Sequence, residues 1–414
     1  MRELATELAI VGAGPAGLAA AEIALRHGMP VCLIDDNPAP GGQIWRGGQA
    51  GAAMAGHPKL RLLTATRVVA APAPNCLLLE SADGASQLSY HRLLLANGAR
   101  ERLLPFPGWT LPGVTGAGGL QALVKSGLDV RGKKVIIAGS GPLLLATALS
   151  LKAAGAQVIQ LAEQASLASV SRFALHLWHW PGKLTQALML GWQLQQVPYA
   201  MNTHVRAALG NDRLQAVRLR RGDEEIELAC DWLAVGYGLL PNLELARALG
   251  CKTHHGVVEV DHVMRTSRRD VFAAGELTGI GGVDKAQLEG RIAGLLIIGE
   301  YDRAVALAKR RRRWLRFAAA LEQHFSLQPA IAQLASADTV VCRCEDVRFG
   351  RLAKCGSWRE AKLHTRCGMG PCQGRLCGAA CETLFGWQNA GSRPPVFPAR
   401  LDTLAGNPST AEVT

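Results

Sequence analysis

The stretch VGAGPAG at Val11 to Gly17 constrains this chain more than any other. A short apolar run, Leu8 to Val11, leads into it, and the alanine-rich segment LAAAEIALRHG follows. Strand, glycine turn and helix in that order open a βαβ unit. Gly12 permits the tight turn, Gly14 lets backbone approach a pyrophosphate, and Gly17 lets helix pack on strand. Pro15 and Ala16 complete the turn. Proline suits the first helical position because its missing N–H would be unpaired there. The helix N-terminus then faces the phosphates. A second strand, Pro30 to Ile34, ends at Asp35, where a carboxylate can accept hydrogen bonds from an adenosine ribose. The bland alternative is a glycine-rich turn in an ordinary βαβ unit. The strand, the helix and the acid at the right distance together favour a dinucleotide.

Two further stretches repeat the theme. Lys134 to Ala138 is a strand followed by GSGPLLL, with Gly139 and Gly141 in the turn and Leu144 where a third glycine is usual. Leucine there sets helix and strand slightly apart. The next strand, Gln157 to Leu161, is followed by Glu163, so the second turn also has its acid. A retained fold whose site is empty or repurposed stays open beside nucleotide binding. In RTSRRDVFAAGELTG the strand Val271 to Ala274 ends at Gly275 and Glu276 before a helix from about Lys285, a second clamp for the first dinucleotide. Gly41, Gly42 and Gln43 in APGGQIWRGG suit a backbone running beside a flavin, or a plain surface loop. Residues 60 to 95 read as a strand meander, and LLLANGARER as a buried strand ending in Gly98.

Seven of eleven cysteines crowd between Val340 and Glu382: Cys342, Cys344, Cys355, Cys367, Cys372, Cys377 and Cys381. Thiolates are soft ligands that suit iron–sulfur clusters or zinc. The pairs Cys342/Cys344 and Cys372/Cys377 are the expected ligands of a 2Fe-2S cluster, with Cys367 as main competitor. Cys355 and Cys381 read as small core residues. Structural zinc and uncoordinated core thiols are the alternatives. Arg343, Arg366 and Arg375 offset cluster charge, or form a solvated basic face.

A net charge of +12 points to an anionic partner such as a nucleotide or an acidic electron carrier. The basic run Lys309 to Arg316 lacks the interleaved aromatics of a nucleic-acid surface, so no nucleic-acid partner is expected. It reads as a linker-helix face or a docking strip. No apolar run reaches the roughly 18 residues of a membrane span. The N-terminus has no basic region before its first strand, so a cytoplasmic protein is expected, with contact to the inner membrane face only through its electron acceptor. His176 and His179 share a helical face, read as a docking or core helix rather than a metal site.

The three signatures in this order resemble the two-dinucleotide-domain flavoproteins of the glutathione reductase type, over about residues 5 to 300. The resemblance implies an α/β fold of two interleaved dinucleotide-binding domains. By match, FAD would be held by Gly12, Gly14, Gly17, Asp35, Gly275 and Glu276, the last replacing the usual aspartate, and a nicotinamide nucleotide by the second turn. Disulfide reductases of this type carry a redox cysteine pair beside the flavin. Here that loop reads GGQIW, so electrons do not leave through a disulfide. VCRCEDV and RCGMGPCQGRLC look like the bacterioferritin-associated-ferredoxin type of 2Fe-2S module.

The whole chain resembles the α subunit of multi-subunit amine and amino-acid dehydrogenases of the D-hydroxyproline dehydrogenase, opine oxidase and hydrogen cyanide synthase type. That resemblance implies a β subunit of the D-amino-acid-oxidase type that oxidises the C–N bond, and often a small ferredoxin-like γ subunit. It leaves NAD(P), ATP or nothing at the second site, and FMN at a subunit interface, open. The expected organisation is residues 1–115 for the first part of the FAD domain, 116–245 for the second dinucleotide domain and 246–300 for the FAD return segment. Basic linker helices follow at 301–336, the small C-terminal iron–sulfur domain at 337–390 and a loose tail at 391–414. A self-contained NAD(P)H-dependent ferredoxin-type reductase is the competing reading.

Overall fold

The computed structural model describes residues 1–46, 48, 50, 51, 54, 56–388 and 393–406. Its chain divides into two compact units. One comprises Met1–Arg100, Leu240–Ala318 and Ala390–Thr414, the other Glu101–Leu239 and Ala319–Asn389. The first crossing falls at Arg100/Glu101, earlier than the boundary at 115 read from sequence. The cysteine-rich segment groups with the second dinucleotide fold.

In the first unit, among the described residues, the main sheet has seven strands. Their order is Leu60–Leu63, Val31–Ile34, Arg2–Val11, Gly84–Leu95, Cys76–Ser81 and Arg67–Ala70, with Val271–Ala273 also pairing to Gly84–Leu95. The central pairs are parallel and the last two antiparallel. Leu8, Ala9 and Ile10 are fully buried, as expected of a parallel strand covered on both faces. Register pairs Val11 with Ile34, which brings Asp35 beside the first glycine turn. The helices Pro15–Arg26 and Gly282–Ile297 cross closely. A Cβ on Gly290 would lie 2.1 Å from the carbonyl oxygen of Ala16, so only glycine allows that approach.

Residues 393–406, expected to be loose, are anchored on this sheet. The Val396 amide donates to the Val69 carbonyl at 2.7 Å, and Thr403 Oγ1 to Glu80 at 2.6 Å. The short helix Leu401–Ala405 ends the described chain. Residues 391, 392 and 407–414 of the tail lie outside the described residues.

The second unit is built on a five-stranded parallel sheet ordered Tyr199–Ala200, Gln157–Glu163, Lys134–Gly139, Trp232–Gly236 and Val114–Gly116. An antiparallel trio, Thr203–Leu209, Ala216–Arg221 and Glu224–Ala229, joins it. Gly222 and Asp223 form the turn between its last two strands. The cysteine segment adds a two-strand pair, Val340–Cys342 with Val347–Arg348, and the helices Trp358–Thr365 and Cys377–Phe385. Trp109 anchors it. Its indole donates to the Val340 carbonyl at 2.5 Å, and the Arg343 guanidinium lies 5.2 Å from its ring centre. The helices Leu167–His176 and Pro181–Gln193, with the 3-10 turn Leu177–His179 between them, bury Phe173 but leave Leu175, Trp178, Leu188, Met189 and Trp192 exposed.

Candidate cofactor sites

The first glycine turn is packed where its sequence requires and open where a ligand would pass. A Cβ on Gly12 would lie 2.3 Å from the Ala96 carbonyl oxygen, and one on Gly17 would lie 1.9 Å from the Gly12 carbonyl oxygen. A Cβ on Gly14 would meet nothing among the described residues within 4 Å. Gly14 is the N-cap of Pro15–Arg26, with Pro15 in the first helical turn and Ala16 buried behind it. Asp35 is buried. Its Oδ2 accepts from the Ala13 amide at 2.6 Å, and its Oδ1 accepts from the amide of Asn37 at 2.8 Å. The carboxylate therefore clamps the turn from below. The Gly41 amide donates to the Ala13 carbonyl at 2.8 Å, and Gly42 comes to within 3.2 Å of Gly14, measured from its Cβ position. Gln43 is exposed beside them. Gly47 of this stretch lies outside the described residues.

Asn97 Oδ1 is buried with no hydrogen-bond partner among the described residues, and the Asn97 backbone borders Gly12. Its amide nitrogen donates to the Asn242 carbonyl, and Asn242 returns the bond to the Asn97 carbonyl, both at 2.8 Å. The adjoining Gly98 takes a positive φ of 64°. An open second glycine on a helix N-terminus, a clamped turn and an orphaned buried acceptor fit a dinucleotide such as FAD.

The third signature joins the same unit. The Gly275 amide donates to Glu289 Oε2 at 3.0 Å, and Lys285 Nζ donates to the Gly275 and Gly279 carbonyls at 3.0 and 2.9 Å. Both oxygens of Glu276 are occupied by the Gly281 and Gly282 amides, at 2.8 and 2.9 Å. Burial pushes this carboxyl up, against those amides and Lys285. Glu276 thus shapes the turn that enters the helix Gly282–Ile297. Sequence reading missed Lys285 and Glu289, because a lysine and glutamate one turn apart look like a surface pair.

The second turn is built differently. A Cβ on Gly139 would lie 2.0 Å from the Gly236 carbonyl oxygen, the counterpart of Gly12. Gly141, the counterpart of Gly14, is covered by the Phe325 ring at 3.6 Å from its Cβ position. Its amide donates to Glu163 Oε2 at 2.7 Å, while Glu163 Oε1 accepts from Ala165 at 2.9 Å. Burial pushes the Glu163 carboxyl up despite these bonds. Glu101, which sequence reading left out, accepts from the Gly118 and Gly119 amides at 2.6 and 2.9 Å and so caps the helix Ala117–Lys125.

The cysteine segment folds its thiols inward. The sulfurs of Cys342, Cys367 and Cys377 lie within 4.8 Å of one another, and all three residues are buried. The Cys372 thiol interacts with the Cys377 and Cys344 thiols, and its amide faces the Cys344 sulfur. The close trio therefore holds two of the four expected ligands, Cys342 and Cys377, with Cys367 as its third member, and Cys344 and Cys372 extend it into a wider sulfur network. A Cβ on Gly370 would lie 2.4 Å from Cys344 Cβ, so glycine is what lets this loop close over the first pair. The Cys367 and Cys377 thiols, with the Gly368 and Glu345 amides, hold the Cys342 thiol down at about 2. Cys377 chiefly draws Cys372 down to about 5. Two easily ionised thiols among buried donors make this segment a candidate soft-metal site. Cys381 touches Cys367, and Cys355 turns to the Arg351 carbonyl at 3.8 Å.

Outside this segment the cysteines are buried and unreactive. All eleven are free, and burial pushes Cys32 and Cys230 up to about 12. His176 does not pair with His179. Its Nδ1 meets His324 Nε2 at 3.1 Å, while His179 turns to the His176 carbonyl. No helix among the described residues is long and apolar enough to cross a membrane.

An open glycine turn joined by a second clamp, on one of two parallel-sheet folds, defines a dinucleotide-dependent oxidoreductase. Residues 6–290 match the family model of the pyridine nucleotide-disulphide oxidoreductases, and the chain belongs to that family, whose members bind flavin and pyridine nucleotide. Over 94% of its length it is 35% identical to hydrogen cyanide synthase subunit HcnB of Pseudomonas aeruginosa, covering 95% of that protein. It is 33% identical to an opine oxidase subunit of Rhizobium meliloti, over 96% of this chain and 97% of that one. Among solved structures, L-proline dehydrogenase from P. horikoshii shares the fold, with a TM-score of 0.68 and 18% identity over 97% of this chain and 80% of that chain.

Proposed function

We propose that this chain is the flavin- and iron–sulfur-containing electron-transfer subunit of a hetero-oligomeric dehydrogenase. The donor would be a D-amino acid, hydroxyproline or an opine-type secondary amine, oxidised mainly in a companion subunit of the D-amino-acid-oxidase type. A small ferredoxin-like subunit is a further expected partner. The observation that carries this reading is the sulfur network of Cys342, Cys344, Cys367, Cys372 and Cys377, in a chain whose thiols outside the cysteine segment are all buried. Relatives matched along nearly their full length are themselves subunits of a hydrogen cyanide synthase and an opine oxidase.

The groups would supply complementary chemistry, a flavin taking an electron pair and a 2Fe-2S cluster single electrons. The chain's own residues do the positioning. Gly14 and the helix Pro15–Arg26 receive the pyrophosphate, Asp35 holds the turn, and Gly275 with Lys285 and Glu289 fixes the second clamp. Cys342, Cys344, Cys372 and Cys377 hold the cluster, with Cys367 as alternate ligand. The competing reading, a self-contained NAD(P)H-dependent ferredoxin-type reductase, draws on the family's pyridine nucleotide and on Glu163 at the end of its strand. The test purifies the complex, measures FAD, iron and acid-labile sulfide per chain, and assays dye reduction with amine donors and with NADH or NADPH. Amine-dependent reduction with sulfide present is expected. Rapid flavin reduction by a nicotinamide in the isolated chain overturns the proposal in favour of the reductase.

A further inference from the structure

The two glycine turns of this chain form an internal comparison. The second glycine of a dinucleotide turn leaves room for the pyrophosphate. Gly14 leaves that room, with nothing among the described residues within 4 Å of its Cβ position, whereas Phe325 fills it at Gly141, with Cγ at 3.6 Å. The third glycine is present as Gly17 in the first turn and replaced by Leu144, fully buried, in the second.

Phe325 belongs to a strap, residues 324–328, laid over the carboxyl ends of the strands Lys134–Gly139 and Gln157–Glu163. Ser140 Oγ donates to the Phe325 carbonyl at 3.2 Å. Gln164 Nε2 donates to the Ser326 carbonyl at 2.8 Å and to Ser140 Oγ at 3.0 Å, and Gln164 Oε1 accepts from the Gln328 amide at 2.9 Å. Ser169 Oγ donates to the His324 carbonyl at 2.8 Å. The ring itself packs edge-on against Phe173, with centroids 5.0 Å apart. The strap then continues into Ile331 and Leu334, which are buried in the core of the same unit. Two polar groups of the turn that a phosphate would use already have protein partners. The Gly141 amide goes to Glu163, and Ser140 Oγ goes to the strap.

We infer that the second dinucleotide fold is closed to NAD(P)H by the chain's own segment His324–Gln328, with Phe325 as the excluding side chain. The residues do not fit the pyridine nucleotide of the family. The fold instead seats the segment that leads to the cysteine module. This deepens the proposed function, on which it rests for its meaning, because the electrons must then enter from a donor other than a nicotinamide.

The experiment titrates the purified full chain with NADH and with NADPH by calorimetry and nucleotide fluorescence. It compares the native protein with Phe325→Gly and with Gln164→Ala, and checks each variant by circular dichroism and flavin content. Native protein should show no saturable binding, while Phe325→Gly should gain saturable binding. Saturable binding of either nucleotide by the native chain overturns the inference, and so does a folded Phe325→Gly variant that gains none. If Phe325→Gly does not fold, Gln164→Ala, which releases Ser326 and Gln328, decides by the same criterion. Native binding without flavin reduction would sink this inference and leave the electron-transfer function standing. Absence of flavin and sulfide would sink that function while the titration still decided the strap.

Discussion

Lys285 and Glu289 face each other one turn apart on the helix Gly282–Ile297, with Nζ 2.9 Å from Oε2 and side chains 1% and 0% exposed. Arg311 closes the other side, its Nε 2.7 Å from Glu289 Oε1. Thr278 Oγ1 donates to Glu289 Oε2 at 2.6 Å and accepts from Lys285 at 2.8 Å. A buried pair this fully hydrogen-bonded holds the Gly275–Thr278 turn against the helix that follows it.

Removing one member should therefore be costly. Glu289→Leu strands the Lys285 ammonium in the interior, and breaking such a pair costs about 3–5 kcal/mol. The double variant Lys285→Met, Glu289→Leu removes the stranded ammonium but leaves Arg311 without Glu289, and should recover part of that loss. Denaturant unfolding of both variants checks this. Equal destabilisation of single and double variants would show that the hydrogen bonds to Gly275 and Gly279, not the charge pair, carry the effect.

The basic run splits by position. Arg311 is bound to Glu289, whereas Lys309, Arg310, Arg312 and Arg316 are exposed on the helix Tyr301–His324. Arg311→Ser should lower thermal stability. Arg310→Ser with Arg312→Ser should leave it unchanged and slow reduction of an acidic electron carrier, more so at low salt because screening sets in beyond about 8 Å at physiological strength. Stopped-flow rates against ionic strength read this out. An unchanged rate and salt slope would make the exposed arginines an ordinary solvated face.

Both dinucleotide folds were legible because glycine turns and strand-end acids repeat at fixed spacing. Asp35 and Glu163 emerge on the same edge of their turns, at the Ala13 and Gly141 amides. What stayed hidden has a common cause. Phe325 reaches Gly141 across a separation that no local pattern encodes. Lys285 and Glu289 carry the spacing of an exposed helix pair, and only the packing around them shows otherwise. Residues 393–406 have the composition of a tail, yet Val396 and Thr403 find partners on the first sheet. The seven clustered cysteines announced a thiol cluster, but spacing alone did not show Cys367 within 4.8 Å of Cys342 and Cys377.

Asp35→Ala should weaken FAD retention by about 1–3 kcal/mol, since the turn loses the acceptor of the Ala13 amide and leaves a buried donor unpaired. Flavin occupancy after dilution and gel filtration measures it. Full occupancy in the variant would mean that the turn holds its shape without the carboxylate and that Asp35 contributes nothing to the cofactor.

The cysteine variants separate cluster ligands from packing. Cys342→Ser, Cys344→Ser, Cys372→Ser and Cys377→Ser should each remove or severely destabilise the cluster, because thiolate is the default ligand and each removes one of four. Cys355→Ser should not, since its sulfur turns away to the Arg351 carbonyl. Cys381→Ser should also retain it, because this thiol meets Cys367 behind the network. Cys367→Ser is the discriminating variant. Its sulfur sits with Cys342 and Cys377, so a packing role predicts partial loss and a ligand role predicts complete loss. The readouts are iron and acid-labile sulfide per chain and the electron paramagnetic resonance signal after dithionite reduction. Complete loss in Cys367→Ser with retention in Cys372→Ser would transfer the fourth position to Cys367. Zinc without sulfide in the native protein would overturn the iron–sulfur assignment and leave a structural thiolate site. Because the flavin turn and the cysteine network lie in different compact units, the four ligand variants should keep their FAD while losing acceptor reduction.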